Sequence, residues 1–167
     1  MWAQKSWWVM PDESILAEYL KVLIGIKRNI PNIYARIHEV CTIIAHRYLS
    51  NSIFKNGRII KENINPSPRK GPDIKVEGIT SNGEKYSCHA EVLTNFSFKE
   101  HAEANKLYKD VNKLISSNVD KKFLIVLFDN LVDEVRNKCK NRQNDAIDLG
   151  KKNIQILSIE KIIESKL

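Results

Sequence analysis

Apolar residues recur at helical spacing through the first fifty positions. Ile15, Leu16, Tyr19, Leu20, Leu23, Ile24 and Ile26 form a broad apolar surface and predict a helix from Pro11 to about Lys27. Asp12 and Glu13 favour its positive end. Pro31 separates it from a second helix over 32–49, where Ile33, Ile37, Val40, Ile44 and Tyr48 share a face. The pattern then shifts from helical spacing toward alternation. Ile59 and Ile60 mark a first short strand within 54–61, followed by a polar loop over 63–70 with Pro66 and Pro68. Residues 73–79 alternate β-branched and polar positions and read as a strand. Ser81-Asn82-Gly83 is a turn, and 85–94 is the returning strand.

Beyond this hairpin, 98–116 reads as an amphipathic helix with Ala102, Leu107, Val111, Leu114 and Ile115 facing inward. The unbroken run Phe123–Phe128 suits a strand buried at the centre of an α/β sheet. A charged helix is predicted from Leu131 to about Leu149, closed by Gly150. Ile154–Ser158 is a short edge strand and 159–167 a last short helix. The order predicts an α/β fold, a mixed central sheet with helices on both faces. The length of 167 residues suits one domain. Within it, 1–30 forms a Trp-rich segment with the first helix and 32–160 the core.

The hairpin carries the chemistry. Centred on Asn82, it sets Asp73 opposite Glu91, Lys75 opposite His89, and Glu77 opposite Ser87. Facing Cβ atoms then lie roughly 5 Å apart. Asp73, Lys75, His89 and Glu91 share one face, and Ile74, Val76, Ala90 and Val92 the other. Two carboxylates so placed are hard ligands suited to Mg²⁺ or Mn²⁺. The other reading is a solvated acidic pair matched to Lys75 or Lys85. His89 can meet a phosphate, support Glu91, or sit as a partly buried histidine.

The segment Pro72-Asp73 followed by Glu91 resembles the PD-(D/E)XK nuclease superfamily, which includes restriction enzymes and archaeal Holliday junction resolvases. The resemblance spans about 32–160 in element order. It implies a restriction-endonuclease-like sheet and metal-dependent hydrolysis of phosphodiester bonds in duplex or branched DNA. Asp73 and Glu91 are then the catalytic metal ligands. The lysine expected two residues after the second acid is Leu93 here, a departure. Lys75 or Lys99 is the implied replacement; without one, the fold binds nucleic acid and does not cut. Glu39 on the second helix is a candidate third metal ligand. It is equally placed to pair with Arg36 across one turn.

Formal net charge is +7, with a pI near 9.3, which favours a polyanionic partner. Arg58, Lys61, Arg69 and Lys70 cluster on the segments leading into the hairpin and, with His89, are the candidate DNA contacts. A lysine-rich surface of simple compositional origin accounts for them equally well. So small a chain is expected to act as a homodimer to cut both strands. Trp2, Trp7 and Trp8 suit core packing or a subunit interface. No stretch approaches a membrane span. Met1–Val9 lacks the apolar core of a signal sequence. Cys41, Cys88 and Cys139 fit neither a zinc site nor a disulfide scaffold, so a cytoplasmic setting is the simplest account. Phosphate loops and nucleophile elbows are absent from the sequence.

Overall fold

The computed structural model describes residues 13–26, 33–65, 71–143 and 145–165. The order is α1 (Glu13–Ile26), α2 (Ile33–Ile53), β1 (Arg58–Ile64), β2 (Ile74–Ile79), β3 (Lys85–Leu93), α3 (His101–Ser116), β4 (Lys121–Val126), α4 (Asn130–Lys140), β5 (Ile154–Ser158) and α5 (Ile159–Glu164). The strands form one mixed five-stranded sheet in the order β1-β2-β3-β4-β5. The first three are antiparallel; β3-β4 and β4-β5 are parallel, joined by α3 and α4. The Trp-rich segment, Arg69 and Lys70 lie outside the described residues.

The register assigns the helices to faces. Glu62, Val76 and Cys88 lie side by side on neighbouring strands. Glu62 bonds His46 of α2 at 3.0 Å, so α2 covers that face. Glu91 belongs to the opposite face and meets Lys113 of α3. From Ala90 to Leu93 every residue of β3 is buried, as are Phe123 to Val126 of β4. These two strands are therefore covered on both sides, which accounts for their unbroken apolar runs.

The hairpin register is the one its turn dictates. Ile79 pairs Lys85 and Lys75 pairs His89. Thr80 N–H donates to the Glu84 carbonyl at 2.9 Å, and Gly83 N–H returns to Thr80 at the same distance. Two elements, β1 and α4, depart most from expectation. β1 begins at Arg58, not near Phe54, because α2 runs to Ile53 and Asn56, at φ 61°, turns the chain. It then continues to Ile64, into the stretch expected to be loop, by pairing with β2 through a bulge between Ile59 and Lys61. Helix α4 ends at Lys140, nine residues short of expectation, and Gly150 does not cap it. Its buried stripe Leu131, Val135, Cys139 has no apolar successor in 140–143. Ile147 N–H instead folds back to the Cys139 carbonyl at 2.9 Å, which buries Ile147 and Leu149.

Candidate functional site

Gly71 and Pro72 deliver Asp73 to the start of β2. Gly71 has φ +114°, a conformation that L side chains rarely adopt. Pro72 fixes the next φ and offers no N–H. Asp73 stands one position beyond the last β2-β3 pair, Ile74 with Ala90, and so beside Glu91. Its Oδ2 accepts the Val92 N–H at 2.8 Å, continuing the strand pairing through a side chain. The same oxygen lies 3.3 Å from His38 Nε2 on α2. That nitrogen also lies 3.1 Å from the Val92 carbonyl, which only accepts, so Nε2 carries the proton. Both contacts of Asp73 use Oδ2, which leaves Oδ1 outside them.

Glu91 is 1% exposed. Its Oε2 accepts from Lys113 Nζ at 3.2 Å, and its Oε1 is buried with no partner. Lys113 also pairs with Asp110, one helical turn earlier on α3, at 2.7 Å. Burial, then the negative charges of Asp73 and Asp110, push the Glu91 carboxyl up to about 8. Lys113 pulls the other way, but one ammonium does not offset desolvation and two carboxylates. On Lys113 itself burial lowers the pKa, and its bonds to Asp110 and Glu91 outweigh that, so it is raised overall. The group opens on a cleft of about 290 Å³ lined by Tyr34, His38, Asp73, Glu91, Lys106 and Lys113, among others.

Asp73 and Glu91 thus come together at this cleft, and the other sequence candidates among the described residues do not line it. Glu39 is bound to Arg36 at 2.8 Å on the exposed side of α2, and its neighbour His38 enters the cleft instead. Lys99 lines a separate groove with Tyr108 and Glu134. Lys75 and His89 form the next row of the sheet, with Lys122 beside them. Burial, then the neighbouring Lys75, lowers the His89 pKa. Arg58 and Lys61 lie on β1, on that same face. Leu93 is fully buried and takes no part.

Sequence reading missed His38, Asp110 and Lys113. The signal was Asp110, buried on the apolar stripe of Leu107, Val111 and Leu114, where charge needs a partner, with Lys113 one turn further on. The three cysteines are buried, and burial pushes Cys41 and Cys88 up to about 12 and Cys139 to about 11. None is a nucleophile near neutral pH. Among the described residues, no group of three or more His, Cys, Asp or Glu side chains is arranged to hold a metal ion, and no helix is long and apolar enough to cross a membrane. No family model matches the chain, nor does any curated protein or solved structure.

Proposed function

We propose that this protein is a metal-dependent DNA endonuclease with a restriction-endonuclease-like core and its active centre at the Asp73–Glu91 cleft. The observation that carries the reading is the Glu91 carboxylate. It is buried, lacks a partner on Oε1, and faces repulsion from Asp73 and Asp110. Burying that charge without full pairing costs several kcal/mol, so the group keeps its proton unless a cation is supplied. Asp73 and Glu91 are the residues that would hold a cation, whose charge would offset the repulsion and satisfy the orphaned oxygen. Two carboxylates suit Mg²⁺ or Mn²⁺, which commonly take one or two protein acids and complete their shell with water and substrate phosphate. A divalent ion held there supplies charge neutralisation and an activated water for phosphodiester hydrolysis.

The chain's own groups have separable roles. Glu91 carries a proton in the free protein at neutral pH and gives it up as the site is loaded, so loading strengthens as pH rises. Lys113 is the ammonium that the Leu93 position lacks, supplied from α3 and held against Glu91 by Asp110. It stabilises negative charge developing on the transferred phosphoryl group. His38 orients Asp73 through Oδ2 and leaves Oδ1 for the cation. Lys106, exposed at the rim, meets a substrate phosphate. One cleft cuts one strand, so cleavage of both strands calls for a homodimer.

The test is cleavage of supercoiled, linear and four-way-junction DNA with Mg²⁺ or Mn²⁺, beside Asp73→Asn and Lys113→Ala. The expected result is metal-dependent cutting that Asp73→Asn abolishes. Cutting that survives Asp73→Asn, or its absence on all three substrates with either metal, would overturn the proposal. Binding without cutting would leave a nuclease-like fold that has lost its chemistry.

A further inference from the structure

We infer that the face of β1, β2 and β3 that the described helices leave open is a track for the backbone of duplex DNA, leading into the cleft. The inference rests on the phosphodiester reading only for what the track leads to. Three rows of side chains lie on the Glu91 face below the acid pair. The first holds Asn63, Lys75, His89 and Lys122, the second Lys61, Glu77 and Ser87, and the third Arg58, Ile79 and Lys85. Helix α3 stops at the first row, where Lys122 Nζ reaches the Ile115 carbonyl in its last turn at 3.3 Å. Beyond that level Arg58, Lys61, Glu77 and Lys85 are exposed. The reverse face at the same rows is closed, with Val76 and Cys88 fully buried and Phe54 packed against Gly78.

The charge on this open face is one-sided. Arg58, Lys61, Lys75, Lys85 and Lys122 stand against Glu77, with Asp120 at the margin, where it accepts from Ser87 N–H and Oγ at 2.7 Å each. Successive same-face residues on a strand are about 6.7 Å apart. Three intervals therefore carry the track about 20 Å from the acid pair, roughly six base pairs at about 3.4 Å each. None of the described residues of this strand face is Phe, Tyr or Trp; Tyr86 projects to the other side with Gly78. Single-strand binding surfaces rely on aromatic platforms for stacking. A lysine- and arginine-bearing face without them suits phosphate contacts to a stacked duplex, which set position and carry little sequence information.

The test is fluorescence anisotropy with a mixed-sequence duplex of about 24 base pairs, without divalent ions, across a NaCl series. Five phosphate contacts give a slope of log K against log salt near −4.5, from about −0.9 per contact. The combined variant Arg58→Gln, Lys61→Gln, Lys85→Gln is expected to bind at least 10-fold more weakly at low salt and to flatten the slope by about 2.7. Glu77→Gln removes the acid from the middle of the track and is expected to tighten binding several-fold, a gain that misfolding cannot produce. An unchanged slope in the triple variant, no gain from Glu77→Gln, or tighter binding of single-stranded than duplex DNA would each overturn the track. Duplex binding that follows these variants with no cleavage under any metal keeps the track and removes the nuclease reading. Full-rate cleavage by the triple variant does the reverse.

Discussion

Replacing Glu91 with Gln isolates the cost of the buried charge. Gln keeps the shape and an acceptor for Lys113 and carries no charge. In the folded protein the Glu91 carboxyl titrates near 8, against an ordinary value of 4.5. A raised acid pKa means that the folded state holds its proton where the unfolded chain has released it. Stability is therefore undiminished below the ordinary value, falls as pH rises through the interval, and is fully reduced above about 8. At 1.36 kcal/mol per pH unit across that interval the loss is on the order of 5 kcal/mol. Glu91 is almost wholly buried, so solvent screening reduces this little. Lys113 acts in the opposite sense, since its raised pKa contributes stability that is lost only at higher pH. Urea denaturation at about pH 5 and about pH 8.5 reads the difference. Glu91→Gln is expected to match the wild type within about 1 kcal/mol at the lower pH and to exceed it by about 4–5 kcal/mol at the higher. In a melt the gain is about 10 °C, at roughly 2–4 °C per kcal/mol for a chain of this size. A variant-to-wild-type difference that is the same at both pH values would refute the reasoning, because Glu91 would then ionise as an ordinary surface carboxylate.

Three further outcomes follow from the same geometry. Lys113→Ala is expected to lower the cleavage rate about 100-fold or more, the scale of losing one oriented donor to a developing charge, while Lys99→Ala loses less than about threefold; single-turnover rates separate the two. Leu93→Lys, which writes the missing motif lysine back into the strand, is expected to destabilise the protein by about 3 kcal/mol or more without raising activity, because that position is sealed in the core; denaturant midpoints and cleavage rates check it. Gly78→Ala places a Cβ 2.6 Å from the Arg58 carbonyl oxygen and from the Phe54 ring, so an overpacking loss of about 1–3 kcal/mol is expected in thermal or urea unfolding.

The hairpin was legible because every local signal agreed. Alternation, the turn residues and the two-residue period fix the register, and the register brings Asp73 to Glu91. The central strand was legible because burial on both faces leaves no polar position. The end of α4 was not, since Ile147 and Leu149 belong to a chain reversal whose apolar residues continue a helical spacing without being helical. The rest of the site was hidden for a different reason. Lys113 stands 22 residues from Glu91 along the chain, and only the packing of α3 on β3 joins them. Whether Glu39 or His38 enters the cleft is a matter of about 100° around α2, set by how the helix rolls on the sheet.

The strands lie across the sheet in the order in which they occur along the chain. No strand has to be inserted between two already paired, and no connection has to wait for a distant partner. A growing chain can lay down β1, β2 and β3 by local pairing, then add β4 and β5 one at a time at the same edge. Such a topology keeps loop-closure entropy small and shortens the time for which an open edge is available to a wrong partner. His38, Asp73, Glu91, Asp110 and Lys113 all precede β4. The side chains of the cleft are therefore all synthesised before β4 and β5, and those late strands act to brace β3 and α3 in place.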